Sequence, residues 1–273
     1  MDELLRIEQL TVTDKTDNSV LLHPCTLRLR PFRTLGIVGE SGSGKSLLAK
    51  AIMGLLPDTL QPHGQIGFQR QNLLSLTAGE YQALRGKDIS LIMQNAMGAF
   101  DPLMSFKSQF IETLRFHTQL SYEQCYRLAC DGLEQVGLKQ PEPLLSRLPH
   151  QLSGGQLQRM MIALALALKP SLIIADEPTT ALDALTQSEM LKTFRALAVR
   201  QQSTLIFISH DLGLVRDIAD DIAVMQQGRI VEYQPTDALW HAPQHPYTRF
   251  LLETRARLSA RFQAIMAGGF RAA

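Results

Sequence analysis

Residues Gly39-Glu40-Ser41-Gly42-Ser43-Gly44-Lys45-Ser46 fill the pattern G-x-x-x-x-G-K-[ST]. An apolar run over 34–38 precedes them, and an apolar-faced stretch over 45–56 follows and stops before Pro57. A buried strand, a glycine-rich turn and a helix in that order curl backbone N–H groups around phosphate oxygens at a positively polarised helix end. In this pattern Lys45 reaches the β- and γ-phosphates and Ser46 offers its hydroxyl to Mg²⁺, so the chain is expected to bind a nucleoside triphosphate. A glycine-rich turn without ligand would not require both flanking elements.

The rest of the chain extends the same architecture. Periodicity predicts strands over 4–12, 21–29, 89–93, 172–175, 204–209 and 222–225, and helices over 156–168, 188–200 and 212–219. Gln61-Pro62-His63-Gly64 and Arg85-Gly86-Lys87 read as turns that bracket a short strand, 65–68, and a polar helix. From 106 to 151 the pattern is helical, clearest over 122–136, with breaks at Gly137, Pro141, Pro143 and Pro149. Strands alternating with helices imply an α/β core with a mostly parallel sheet covered on both faces. The expected division is a nucleotide-binding domain over 1–250, with an N-terminal antiparallel β-region and an α-helical subdomain inserted at about 95–155, and a helical tail over 251–273.

Charge and cysteine content narrow the partners. Lys and Arg total 27 against 26 Asp and Glu, a net charge of +1 that supplies no basic field for a phosphate backbone, so nucleic acid is not expected. Cys25, Cys125 and Cys130 are too few and too irregular for a disulfide framework or a zinc site and read as free thiols of a reducing compartment. Residues 1–6 lack the basic-then-apolar order of a secretory signal. The apolar run 160–168 ends at Lys169-Pro170, well short of the ~20 residues that span a bilayer, so any membrane role is expected to be peripheral.

Two further features bear on chemistry. Leu172-Ile173-Ile174-Ala175-Asp176-Glu177 is an apolar strand delivering two carboxylates at its C-terminal edge, where ligands of an open α/β sheet bind. Asp176 is placed to hold Mg²⁺ or its water, and Glu177 to orient or deprotonate an attacking water. A strand ending in Asp-Glu says little alone; it gains meaning by following a phosphate loop. Leu152-Ser153-Gly154-Gly155-Gln156 opens a second helix with a serine and two glycines. It reads either as an ordinary Ser cap with a glycine turn or as a second anion-binding helix end.

The ordered set of phosphate loop, Gln94 after a strand, Leu-Ser-Gly-Gly-Gln at 152–156, Asp176-Glu177, Ala181-Leu182-Asp183 and Ile208-Ser209-His210-Asp211 resembles the nucleotide-binding subunit of an ABC transporter. The resemblance runs from about residue 4 to 248. It implies ATP held between two subunits, the phosphate loop of one facing Leu152, Ser153, Gly154, Gly155 and Gln156 of the other in trans, so that hydrolysis needs a dimer. It also implies that His210 contacts the γ-phosphate, that Gln94 senses Mg²⁺ and the attacking water, and that Asp183 lies at the dimer seam. Catalytic roles thus fall to Glu177, His210 and Gln94, and the metal to Ser46, Gln94 and Asp176.

Finer motifs resemble the dipeptide, oligopeptide and nickel importer group: Met93-Gln94, Ala99-Phe100-Asp101-Pro102, Gln158-Arg159-Met160-Met161-Ile162-Ala163, and His245-Pro246-Tyr247-Thr248. Peptide-importing relatives commonly carry iron–sulfur cysteines in a C-terminal extension, and no cysteine follows Cys130 here, so the resemblance is nearest to ATPases importing nickel or metal–metallophore chelates, with peptide import as the alternative. It implies as partners a second ATPase subunit, identical or not, two integral-membrane permeases docking near 94–102 and the helical subdomain, and an extracytoplasmic substrate-binding protein. The chain is then expected peripherally at the cytoplasmic face of the cell membrane. One departure is plain: members usually stack adenine on an aromatic of the N-terminal β-region, yet 10–29 contains no Phe, Tyr or Trp. His241 and His245 flank Pro243, which breaks the helix that would align them as metal ligands.

Overall fold

The computed structural model describes residues 3–179 and 184–267. The chain opens with two long strands, β1 (Leu5–Asp14) and β2 (Val20–Leu29), that pair antiparallel. The phosphate-loop strand β3 (Thr34–Val38) and helix α1 (Lys45–Met53) follow. Helix α1 ends three residues before the expected stop at 56. Gly54 adopts φ 60° there, and its N–H turns back to the carbonyls of Ala51 and Lys50, the left-handed C-cap that glycine takes without steric cost.

Strand β4 (Leu60–Phe68) corrects the turn expected at 61–64: Pro62 and Gly64 lie inside the strand. Pro62 sits opposite Val12 of β1, and the short β5 (Gln71–Asn72) reaches only Gly67 and Phe68 on the other side. The first half of β4 is therefore an edge, where a missing N–H costs no ladder bond. Gly64 sits beside a register shift between Glu8 and Thr11, with φ 104°, so the residues that signal a turn here make a bulge instead.

Helix α2 (Ala78–Leu84), capped by Thr77 and Glu80, leads into β6 (Ile89–Ile92). Three helices then build the helical subdomain: α3 (Phe106–His117), α4 (Tyr122–Gln135) and α5 (Pro141–Leu145). Ser105 and Ser121 cap the first two, each such cap contributing about 1 kcal/mol. Helix α6 (Gly154–Ala167) packs against α4 and β6, tying the subdomain to the core. The return to α/β alternation gives β7 (Leu172–Asp176), α7 (Ala184–Gln201), β8 (Thr204–Ser209), α8 (Leu212–Ile218), β9 (Asp221–Gln226), β10 (Arg229–Pro235), α9 (Thr236–His241) and α10 (Pro246–Ala267).

Two sheets result, with orders β2-β1-β4-β5 and β10-β9-β3-β8-β7-β6. In the second, β9, β3, β8, β7 and β6 are parallel and only β10 runs against its neighbour. Its strands read as unbroken apolar runs because both faces are covered. Leu172, Ile174, Ile206 and Ile208 point into a core shared with α1 and the antiparallel sheet, while Ile173, Ala175, Leu205 and Phe207 point into a second core beneath α6, α7 and α8. Helix α1 is thus clamped between sheets, and the loop before it has little room to move.

Candidate active site

Strands β3, β8, β7 and β6 are consecutive neighbours in the parallel sheet, so their C-terminal ends form one edge. That edge gathers residues far apart in the chain: the loop 39–44 after β3, His210 after β8, Asp176 and Glu177 at the end of β7, and Gln94 after β6. They surround a 710 Å³ cavity lined by Gly39, Glu40, Ser41, Gly42, Gly44, Lys45, Ser46, Gln94, Glu177 and His210. Its size suits a nucleotide-sized ligand.

The loop conformation is dictated by its glycines. A Cβ on Gly39 would lie 2.2 Å from the carbonyl oxygen of Met225, and Gly44 holds φ 101° at the N-cap of α1. The loop backbone is thereby pressed against β9, with the N-terminal end of α1 directly behind it. Lys45 is 5% exposed, and its Nζ donates to the carbonyls of Gly39 at 2.8 Å and Glu40 at 2.9 Å. Burial pushes its pKa down, and the charges of Glu177 and Asp176 oppose that shift.

Three side chains converge on the Glu177 carboxylate. Gln94 Nε2 donates to Oε2 at 3.1 Å, His210 Nδ1 lies 3.3 Å from the same oxygen, and Lys45 Nζ lies 4.0 Å from Oε1. Glu177 adopts φ 47°, a region that costs a non-glycine residue of order 1–3 kcal/mol. Its N–H donates to the carbonyl of Ile208 at 3.0 Å, so β8 holds that strained turn in place and aims the side chain at the cavity.

Asp176 stands behind Ser46. Burial pushes its carboxyl pKa up, while the Ser46 hydroxyl bonded to it pulls the other way. Its Oδ1 is buried with no hydrogen-bond partner among the described residues. An orphaned carboxylate oxygen beside the Ser46 hydroxyl is a pair of oxygen donors of the kind that fits a small hard cation. Neither Asp176 nor Ser43 is among the residues that line the cavity.

The family described as ABC transporter matches residues 22–180. This chain belongs to the ABC transporter family. The metal-staphylopine import system ATP-binding protein CntD of Staphylococcus aureus (strain Mu50) is 42% identical over 265 residues, covering 97% of this chain and 98% of that one. The oligopeptide transport ATP-binding protein OppD of Bacillus subtilis (strain 168) is 40% identical over 263 residues, covering 94% of this chain and 73% of its own length. Among solved structures, a dimeric post-hydrolysis state of the ATP-binding cassette MJ0796 bound to ADP and Pi matches with a TM-score of 0.77 at 26% identity, covering 85% of this chain and 98% of that chain. The present chain is an ABC ATPase, an ATP-binding subunit of an import system.

In this ABC cassette the residues Leu152, Ser153, Gly154, Gly155 and Gln156 do not line the cavity that holds the phosphate loop. Ser153 and Gln156 satisfy each other: Ser153 Oγ accepts the Gln156 N–H at 3.3 Å and Gln156 Oε1 accepts the Ser153 N–H at 3.1 Å. That capping box starts α6 two residues earlier than periodicity alone predicts. A Cβ on Gly154 would meet nothing within 4 Å, so this chain's own packing places no demand for glycine there. Asp183, expected at the dimer seam, lies outside the described residues, as do Ala181 and Leu182.

The structure adds residues that sequence reasoning passed over. Leu21 of β2 and Leu251 of α10 line the same cavity, as does Leu47. The Tyr247 hydroxyl accepts the N–H of Glu40 at 3.2 Å. No local pattern marks Leu21 or Leu251, because each is one apolar residue among many. Tyr247 carried a signal only as part of a family resemblance. His245, weighed above as a metal ligand, caps its own turn: Nδ1 accepts the Tyr247 N–H at 3.2 Å.

Proposed function

We propose that the cavity over residues 39–46 binds ATP with Mg²⁺ and that Glu177 orients the attacking water and takes its proton as the bond to the γ-phosphoryl group breaks. The convergence of Gln94, His210 and Lys45 on the Glu177 carboxylate supports this reading above any other feature. Lys45 neutralises charge on the β- and γ-phosphates, His210 holds the γ-phosphate, and the loop N–H groups other than those of Glu40 and Ser43, which bond within the chain, cradle the remaining oxygens. Ser46, Gln94 and Asp176 hold the cation, which when bound spreads the charge developing on the phosphate oxygens. Lys45 is buried and its Nζ bonds the Gly39 and Glu40 carbonyls, so the charge offered to ATP is held in place by the loop itself.

The second half of each site comes from another subunit, through Ser153 and Gly154. The open space in front of Gly154 and the dimeric state of the matched cassette support this arrangement. Whether that subunit is a copy of this chain or a second ATPase, the transporter is completed by two permeases and an extracytoplasmic binding protein. No helix among the described residues is long and apolar enough to cross a membrane. As an ATP-binding subunit of an importer the chain works peripherally at the cytoplasmic face, docked through 94–102 and the helical subdomain.

The base is held without a stacked ring. The walls nearest the N-terminal sheet are Leu21 and, from α10, Leu251. Stacking on an aromatic contributes about 1–3 kcal/mol per base, and its absence predicts that purified protein hydrolyses GTP and ATP with similar kcat/KM. A strong preference for ATP, measured side by side, would overturn the aliphatic platform.

For cargo, nickel or a metal–metallophore chelate is the reading supported by the metal-staphylopine relative, which matches over 97% of this chain and 98% of its own length. Peptide import is the second reading, supported by the oligopeptide relative at 40% identity. Deleting the gene should abolish energy-dependent uptake of the metal chelate. A His241→Ala/His245→Ala protein should restore it with unchanged metal preference, since an ATPase only transduces energy. Intact metal uptake with lost growth on oligopeptides would give the peptide reading the place, and a changed metal preference in the double variant would show that this subunit meets the cargo.

A further inference from the structure

A segment running from β10 to α10 ties the sheet edge to the phosphate loop. Glu232 of β10 is 7% exposed; Oε1 accepts the Gln244 N–H at 2.7 Å and Oε2 accepts the His245 N–H at 3.0 Å. Burial works to raise its pKa, but the backbone donors from Gln244 and His245 outweigh that and hold the carboxyl below its ordinary value. The buried carboxylate thus pins the turn 244–248. His245 in turn fixes the first turn of α10 through the Tyr247 N–H.

Tyr247, 8% exposed, then meets the nucleotide site. Its phenol oxygen accepts the N–H of Glu40. The carbonyl of that same peptide unit, on Gly39, accepts from Lys45 Nζ. A single peptide plane at the mouth of the phosphate loop is therefore held on one edge by Tyr247 and on the other by Lys45. Two further contacts come from α10: Leu251 lines the cavity, and Arg255 Nε lies 3.6 Å from Oδ1 of Asp211, the residue after His210.

We propose that Tyr247 is a positioning residue for ATP binding: its hydroxyl, anchored through the turn that Glu232 holds, keeps the peptide between Gly39 and Glu40 oriented so that the phosphate loop is formed before the nucleotide arrives. This rests on the reading of the cavity as the ATP site. Without the hydroxyl the Glu40 N–H loses its partner, the peptide gains alternative orientations, and binding carries the cost of selecting the competent one. The consequence is on affinity first and on turnover second.

The test uses the purified full chain and a fluorescent ATP analogue, N-methylanthraniloyl-ATP, alongside steady-state ATPase kinetics and thermal unfolding. Tyr247→Phe keeps the ring and removes only the oxygen. It should raise both the Kd of the analogue and the KM for ATP by about three- to tenfold, the worth of one neutral hydrogen bond, with kcat changing less than KM. Glu232→Gln, which sets an amide against donors that now meet a carboxylate, should move Kd and KM in the same direction and serves if Tyr247→Phe does not fold. Unchanged Kd and KM in folded Tyr247→Phe, or a fall in kcat at constant KM, would overturn the proposal. Failure of the wild-type chain to bind the analogue at all would instead remove the ATP-site reading beneath it.

Discussion

Glu177→Gln is expected to bind ATP and to lose turnover by about 10²–10³, the contribution of a positioned general base. The substitution keeps the shape of the side chain and its ability to bond Gln94 and His210, so the cavity should persist. What disappears is the proton acceptor at the centre of the cluster and the counter-charge 4.0 Å from the buried Lys45. Asp176 remains nearby to offset that charge, so thermal stability should move little. With binding intact and hydrolysis blocked, the variant should accumulate as a closed ATP-bound dimer, visible by size-exclusion chromatography. Steady-state turnover at the wild-type rate would remove Glu177 from the catalytic role.

Gly154→Asp is expected to fold as well as the wild type and to abolish ATPase activity. The Cβ would meet nothing in its own chain, and a carboxylate in the first turn of α6 is favourable to the helix dipole. The damage would come from outside, where the new negative charge faces the triphosphate bound by the other subunit. Lys45→Ala is expected to fail differently, by removing the buried charge proposed to meet the β/γ-phosphates. Mixed in equal amounts, the two inactive chains should regain about a quarter of the wild-type sites if the chain forms homodimers, since each mixed dimer has one intact loop facing one intact signature. Full activity of Gly154→Asp by itself would exclude a site shared between subunits.

Legibility differed by element for physical reasons. Residues 39–46 were readable because the loop must curl tightly and carry a lysine, and few sequences do both. The strand 204–209 was readable to the residue because a strand buried on both faces shows an unbroken apolar run. Pro62 and Gly64 misled because a proline on an edge and a glycine in a bulge look, in one dimension, like a turn. The end of α1 was misplaced because Gly54 stops a helix whose apolar pattern continues. Strand β10 and helix α9 carried too little periodicity to be read; β10 forms because β9 offers an edge, and Thr236 at the start of α9 bonds back to Ala219 and Asp220.

By itself the amino-acid order determined the phosphate loop, the two carboxylates at the end of β7 and the class of fold, because those features depend on neighbours along the chain. The tertiary structure decided which strand lies beside which. The order β3-β8-β7-β6 brings Gln94 and His210 to the Glu177 carboxylate over the loop, from positions 83 and 33 residues away along the chain. It also decided that α10 returns to the site, so that Tyr247 holds Glu40 and Leu251 walls the cavity. Those contacts come from sheet order and helix packing, and a chain read in one dimension holds no term for either.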